Sequence, residues 1–172
     1  MWPDGGIDLK YISSDTHIWL DFETISRTNL PFRLPCTYVM YREALEEEVI
    51  SPPDLLEDLR KKGLEAVELT TEEFYYAAEC VAKYVKISKY DSTALAIAKF
   101  RGIPLLTGDN ALRKAAKKEG VEVIGTIGIL DRLYEGNYIN SLEYKYCLEQ
   151  LLEHTERRLP AEEMKKRLDA LT

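Results

Sequence analysis

Cysteine, histidine, long apolar runs and net positive charge are all scarce in this chain. Cys36, Cys80 and Cys147 are odd in number and far apart, with no CxxC pair. They carry no metal-site signal and suit a reducing cytosol. No apolar run approaches the length of a membrane span, and the N-terminus lacks the charged-then-apolar pattern of a signal peptide. A cytoplasmic protein with no membrane partner is therefore expected. A GxGxxG fingerprint is missing, which excludes an ordinary dinucleotide-binding fold. The first strand is followed by Ser14-Asp15-Thr16-His17, so there is neither the acidic pair of a receiver domain nor the Asp-x-Asp of a haloacid-dehalogenase-type phosphatase. A net charge of −7 argues against broad, non-specific nucleic-acid binding.

What is present is a regular alternation of elements in 172 residues, 45% hydrophobic and 31% charged, a composition that suits one globular domain. Turn composition over residues 1–8 predicts a loose start. Short apolar segments near 9–14, 64–69, 103–107 and 121–124 read as strands. Between them, helices are predicted from Asp15 onward, over Cys36 to Val49 with a stop at Ser51-Pro52-Pro53, over Asp54 to Lys62, and from Thr70, which forms a capping box with Glu73. The last of these carries Phe74, Ala77, Ala78, Val81, Tyr84 and Val85 as its apolar stripe. Further helices follow Asp91 and Asp109, each read as an N-cap, with Gly102 and Gly120 as stops. Ile127 to Glu135, Ser141 to Glu156 and Ala161 to Leu171 complete the chain. The expected fold is α/β, a parallel sheet of about four strands flanked by helices, with a C-terminal helical appendage packed on the domain or waiting for a partner.

Asp15, Asp91 and Asp109 each stand where a helix begins, at what would be one edge of the sheet. Any one of them alone is well explained as a helix cap. Three carboxylates crowded together repel one another unless a cation neutralises them. A hard divalent ion, Mg²⁺ or Mn²⁺, does so with oxygen ligands alone and can activate water against a phosphodiester. Arg113, Lys114, Lys117 and Lys118 lie on the helix that follows Asp109, and Arg101 ends the helix that follows Asp91. Such a local basic strip can hold phosphates while the whole molecule stays acidic; an ordinary solvated face is the plainer alternative.

An Asp opening an Ala-rich helix, then "PLLTGD" and "LRKAAKKEGVEVIGT", resembles the C-terminal half of a PIN domain. The resemblance covers about Leu9 to Tyr138, with 141–171 as an extension of a single PIN-like domain over 1–172. It implies a metal-dependent endoribonuclease, with Asp15, Asp91 and Asp109 as three acidic positions and Mg²⁺ or Mn²⁺ as cofactor. For the fourth position, "YVMYREALEEEV" offers several glutamates: Glu43 is preferred, with Glu46 in reserve. Thr16, Thr107, Arg113, Lys114 and Lys117 are the expected substrate contacts. His17 departs from the family, which often has Asn there. Many members are toxins of toxin–antitoxin pairs, so the expected partners are RNA, a small antitoxin protein and a second copy of the chain. The reading from another class is a PIN-like binding or assembly module with little or no nuclease activity.

Overall fold

A computed structural model describes residues 10–49, 52–154 and 159–171. The expected loose start at 1–8, the helix stop at Ser51 and the expected end of a helix at Glu156 lie outside the described residues. Strand β1 (Tyr11–Ser14) is buried apart from Tyr11 and pairs in parallel on both sides, with β2 (Thr37–Tyr41) and β4 (Leu105–Leu106). β3 (Glu65–Val67) lies beyond β2 and β5 (Val123–Ile124) beyond β4. Among the described residues the order is β3-β2-β1-β4-β5, all parallel. The chain thus winds outward to β3 and restarts on the other side of β1. Between β1 and β4 the winding reverses, and in sheets of this kind the crevice at the strands' C-terminal ends there is where ligands bind.

β2 corrects the expectation of a helix over Cys36 to Val49. Its residues are β-branched or aromatic in the main and fit a pleated surface. Tyr38, Val39 and Met40 are buried between β1 and β3, and Tyr38 donates to Pro31 O at 2.7 Å. Only then does α2 (Arg42–Glu48) begin. A strand running straight into a helix presents one long amphipathic stretch, and periodicity alone does not find the junction.

Helices cover both faces of the sheet. α1 (His17–Thr24), α3 (Leu55–Lys62), α7 (Thr126–Glu135) and α8 (Ser141–Glu153) contribute to one apolar cluster, in which Trp19 stacks on Phe32 at 5.1 Å and meets Tyr38 edge-on. α8 buries Tyr144, Cys147, Leu148 and Leu151, and α9 (Ala161–Ala170) adds Met164, so the C-terminal pair is packed on the domain. On the other face α4 (Thr71–Lys83), α5 (Lys89–Arg101) and α6 (Asn110–Lys118) enclose Cys80, Leu95, Leu105 and Leu112.

Two local details differ from expectation. The stripe expected on α4 is only partly the buried one: Ala77 is buried with Cys80 and Glu73, but Phe74, Val81 and Val85 are 56%, 41% and 94% exposed. α4 is apolar on two sides, and an ion pair decides which faces inward. Glu73, 1% exposed, accepts from Arg101 Nε at 2.8 Å and Nη2 at 3.0 Å while closing the capping box with Thr70. Arg101 is therefore a structural partner of Glu73. In α5, Ser88 is the N-cap and Asp91 sits one turn inside: Ser88 Oγ accepts the Asp91 N–H at 3.1 Å, and Asp91 Oδ2 accepts the Ser88 N–H at 2.9 Å. Asp91 is the acidic half of a capping box rather than the cap itself.

Candidate active site

Backbone pairing fixes the position of the first acid. Asp15 N–H donates to Leu106 O at 3.0 Å, and Thr107 N–H to Ile124 O at 2.9 Å, so the ends of β1 and β4 leave the sheet side by side. Asp15 Oδ1 accepts the Ile18 N–H at 3.0 Å, in the first turn of α1, and Oδ2 accepts the Thr107 hydroxyl. The same Thr107 oxygen accepts the Asp109 N–H at 3.1 Å, while Asp109 Oδ2 caps α6 through the Leu112 N–H at 2.8 Å. Asp15 is 3% exposed. Burial lifts its carboxyl from an ordinary 3.8 to about 6, against the lowering effects of the Thr107 and Ile18 bonds and the charge of His17; the neighbouring Asp91 charge pushes it further up.

Asp91 and Asp109 line an open pocket of about 540 Å³ together with His17, Asp21, Lys86 and Lys114. The structure thus brings Asp15, Asp91 and Asp109 to one edge, with Asp15 buried beside its two partners rather than in the lining. Asp21 and Lys86 were not singled out in the sequence. Asp21 is a buried acid on the apolar side of α1, beside Ile18 and Phe22, and it accepts the Thr126 hydroxyl at 2.7 Å. A charged residue within that stripe was the only available signal. Lys86 gave none, since it lies in the turn between α4 and α5.

The glutamates of α2 separate clearly. Glu43 lies 3.5 Å from Lys89 Nζ, and Glu46 pairs with Arg42 at 2.9 Å and with Arg60 at 3.7 Å. Glu47 accepts the Tyr90 hydroxyl. Glu48 Oε1 accepts from Thr16 Oγ1 at 2.7 Å, so it is the glutamate joined to the Asp15–Thr16 turn. None of the four lines the pocket. Thr16 and Thr107 are both buried, and each spends its hydroxyl on a carboxylate.

Cations continue the site. A second pocket of about 620 Å³ shares Gly108, Asn110 and Leu159 with the first and is lined by Arg113, Arg132 and Arg167. Arg113 lies over the start of α7, where a Cβ added to Gly125 would stand 2.9 Å from its Nη1. Lys114 and Lys117 line an adjoining pocket on the same helix.

Among the described residues, no three His, Cys, Asp or Glu side chains are arranged to hold a metal ion. The donor chemistry nevertheless fits a hard cation. The acids at this edge offer oxygen only, while the cysteines lie elsewhere, two buried and Cys36 partly so. Asp91 Oδ1 and Asp109 Oδ1 accept no hydrogen bond from a described residue. An ion that keeps part of its water shell suits such a set, because it needs only one or two direct carboxylates.

The family model DUF3368, described as a PIN domain, matches residues 14–172. The match therefore extends through the C-terminal helices, past the stretch that carried the sequence resemblance. No curated protein and no solved structure matches the chain. By its acids at the β1/β4 switch point, its parallel sheet and a match over nearly its whole length, the chain belongs to the PIN domain family.

Proposed function

We propose that the chain is a Mg²⁺- or Mn²⁺-dependent endoribonuclease. The observation that carries this reading is the pairing, at one sheet edge, of Asp15, Asp91 and Asp109 with the cations Lys86, Lys114 and Arg113 in adjoining pockets. PIN domains are generally nucleases, and typically depend on a divalent metal.

In this reading Asp91 and Asp109 offer their second carboxylate oxygens to the cation, with Asp15 alongside. When bound, the cation neutralises the crowded acids, polarises the phosphodiester and lowers the pKa of an attacking water. Thr107 holds Asp15 and Asp109 in fixed relation, and Thr16 ties Glu48 to the same turn. Glu48, rather than Glu43, is thereby the fourth acid, and the two threonines position carboxylates instead of touching RNA. Arg113, Lys114 and Lys117 hold phosphates flanking the cut, a sequence-independent task for point charges and guanidinium forks. The narrower form of the proposal is a cytoplasmic toxin whose small antitoxin protein covers the acidic pocket.

Purified protein is expected to cut single-stranded or loop RNA with Mn²⁺ or Mg²⁺ and to stop in chelator. Asp15→Asn, Asp91→Asn and Asp109→Asn should each abolish cutting. Cleavage that persists in chelator, or survives all three substitutions, would refute the proposal. A binding module without turnover is the second reading. It is favoured by the net charge of −7 and by the lack of three converging ligands among the described residues. Its signature is a folded protein that shows no metal-dependent cleavage of RNA.

A further inference from the structure

Five helices end in the same hydrogen-bond pattern, in which the N–H just past the helix reaches back five residues. In α3, α5 and α6 the left-handed residue of that pattern is Gly63, Gly102 and Gly120. Glycine is the ordinary choice there, since it has no Cβ to strain. α1 and α7 depart from it. Ser26 stands at φ 56° and Asn137 at φ 62°, with Arg27 N–H bonded to Phe22 O and Tyr138 N–H to Leu133 O, both at 2.8 Å. Among the described residues these are the non-glycine residues of positive φ. Neither side chain hydrogen-bonds to a described residue, and both line one pocket of about 840 Å³. A side chain kept twice where glycine is the easier residue, both times in the wall of one pocket, is the mark of a binding site.

The pocket lies across the sheet from the acids. α1 and α7 start at the carboxyl ends of β1 and β5 and run back to the amino-terminal edge, where their ends meet the start of α8. Two arginines against one glutamate leave the lining positive in a chain of net charge −7. Arg27 is already engaged, by Glu143 at 2.5 Å and by the Tyr146 ring at 4.5 Å. Arg33 is not: its Nη1 donates to Tyr138 O at 3.1 Å, and it meets no carboxylate among the described residues. Its remaining N–H groups form a fork suited to phosphate. The rings of Tyr138 and Tyr146 are 37% and 40% exposed and offer faces to a planar heterocycle. The Asn137 amide both donates and accepts, as the edge of a base does. Of the aliphatic lining only Leu142 is exposed, Leu30 and Ile139 being buried, so an apolar helix finds little to cover.

We infer that this pocket binds a free nucleotide, of which a nucleoside 5′-monophosphate is the smallest form. Arg33 takes the phosphate, Tyr146 the face of the base, and Ser26 and Asn137 the polar edges of base and ribose. The volume suits a ligand of that size. The site is separate from the acidic edge and stands whether or not that edge cuts RNA.

Calorimetric titration of the full chain with AMP, GMP, CMP and UMP tests this, in chelator so that no metal bridges a nucleotide to the acids. At least one is expected to bind saturably with a Kd below about 1 mM, and inorganic phosphate about tenfold more weakly or worse. Arg33→Ala, at an exposed position, should weaken binding about tenfold or more. Ser26→Gly combined with Asn137→Gly is the sharper variant. It should weaken nucleotide binding while Tm does not fall, because glycine suits both backbone positions. Asp109→Asn should leave the affinity unchanged, which separates this pocket from the acidic one. The inference is overturned if no mononucleotide binds below about 1 mM, or if phosphate alone binds as tightly as a nucleotide. An affinity indifferent to Arg33→Ala or to the double glycine variant, or one abolished by Asp109→Asn, overturns it equally. Binding of a short oligoribonucleotide at Arg33 with no binding of mononucleotides would assign the pocket to RNA instead.

Discussion

Thr107 binds Asp15 and Asp109 into one unit, giving its hydroxyl proton to the first and accepting the backbone N–H of the second at 3.1 Å. Asp15 is buried, near Asp91, and tied to α6 through a single side chain. Burial pushes its carboxyl up to about 6, against the lowering effect of the Thr107 bond.

That shift has a definite sign for stability. The folded chain binds a proton at Asp15 more tightly than the unfolded chain, so stability falls as pH rises from about 3.8 to about 6. Above that window the ionised, buried group costs on the order of 3 kcal/mol. Asp15→Asn keeps an oxygen for the Ile18 N–H and removes the charge. In chelator at pH 7.5 it is expected to be more stable than wild type by about 1–3 kcal/mol, with the gap closing below pH 4. Urea titrations at both pH values measure this, and an Asn variant less stable at pH 7.5 contradicts it.

Cation binding should act on the same group of acids. At a Mg²⁺ or Mn²⁺ concentration about 100 times Kd, mass action contributes about 2.7 kcal/mol, which raises Tm by about 5–10 °C for a chain of this size. Asp91→Asn and Asp109→Asn, which keep their backbone caps, should lose most of that rise. A wild-type Tm indifferent to millimolar Mn²⁺ would count against a shared cation site.

Glu48 and Glu43 give a sharper comparison. Glu48 accepts from Thr16 and is bound to the Asp15 turn, whereas Glu43 faces Lys89 at 3.5 Å. Glu48→Gln is expected to lower kcat by about 10–100-fold, the usual effect of disturbing the residues around a metal site. Glu43→Gln should change it by less than about 3-fold. Single-turnover cleavage of one RNA by both variants decides between them, and the reverse order would restore Glu43.

Arg101 is expected to matter for stability alone. Removing it leaves Glu73 buried without its partner, a loss of about 3 kcal/mol. Arg101→Ala should therefore lower the urea midpoint while leaving the salt dependence of RNA binding unchanged. Arg113→Ala combined with Lys114→Ala should do the opposite, flattening the salt slope because fewer counterions are released.

The sequence was sufficient wherever structure is decided within one turn of chain. Asp109 as the cap of α6, the Thr70–Glu73 box and Gly102 at φ 63° ending α5 all follow from local hydrogen bonding and backbone sterics. Asp15, Asp91 and Asp109 were legible as candidates for the same reason: each is an acid beside a helix start. Where two local solutions compete, the sequence did not choose. Ser88 and Asp91 both suit an N-cap, and the backbone places the helix start three residues earlier than the aspartate suggested. The junction of β2 and α2 depends on a strand being wanted between β1 and β3, which only the closed sheet supplies. That junction sets the rotation of α2, and with it which glutamate reaches Thr16. α4 offered two apolar faces, and a partner 28 residues away, Arg101, selected the inner one by drawing Glu73 inside. Asp21 and Lys86 joined the acidic pocket through contacts between separate elements. Caps and turns are short-range and recur in any chain with those residues. Register, facing and the company a carboxylate keeps are long-range, fixed only when the whole core is buried at once.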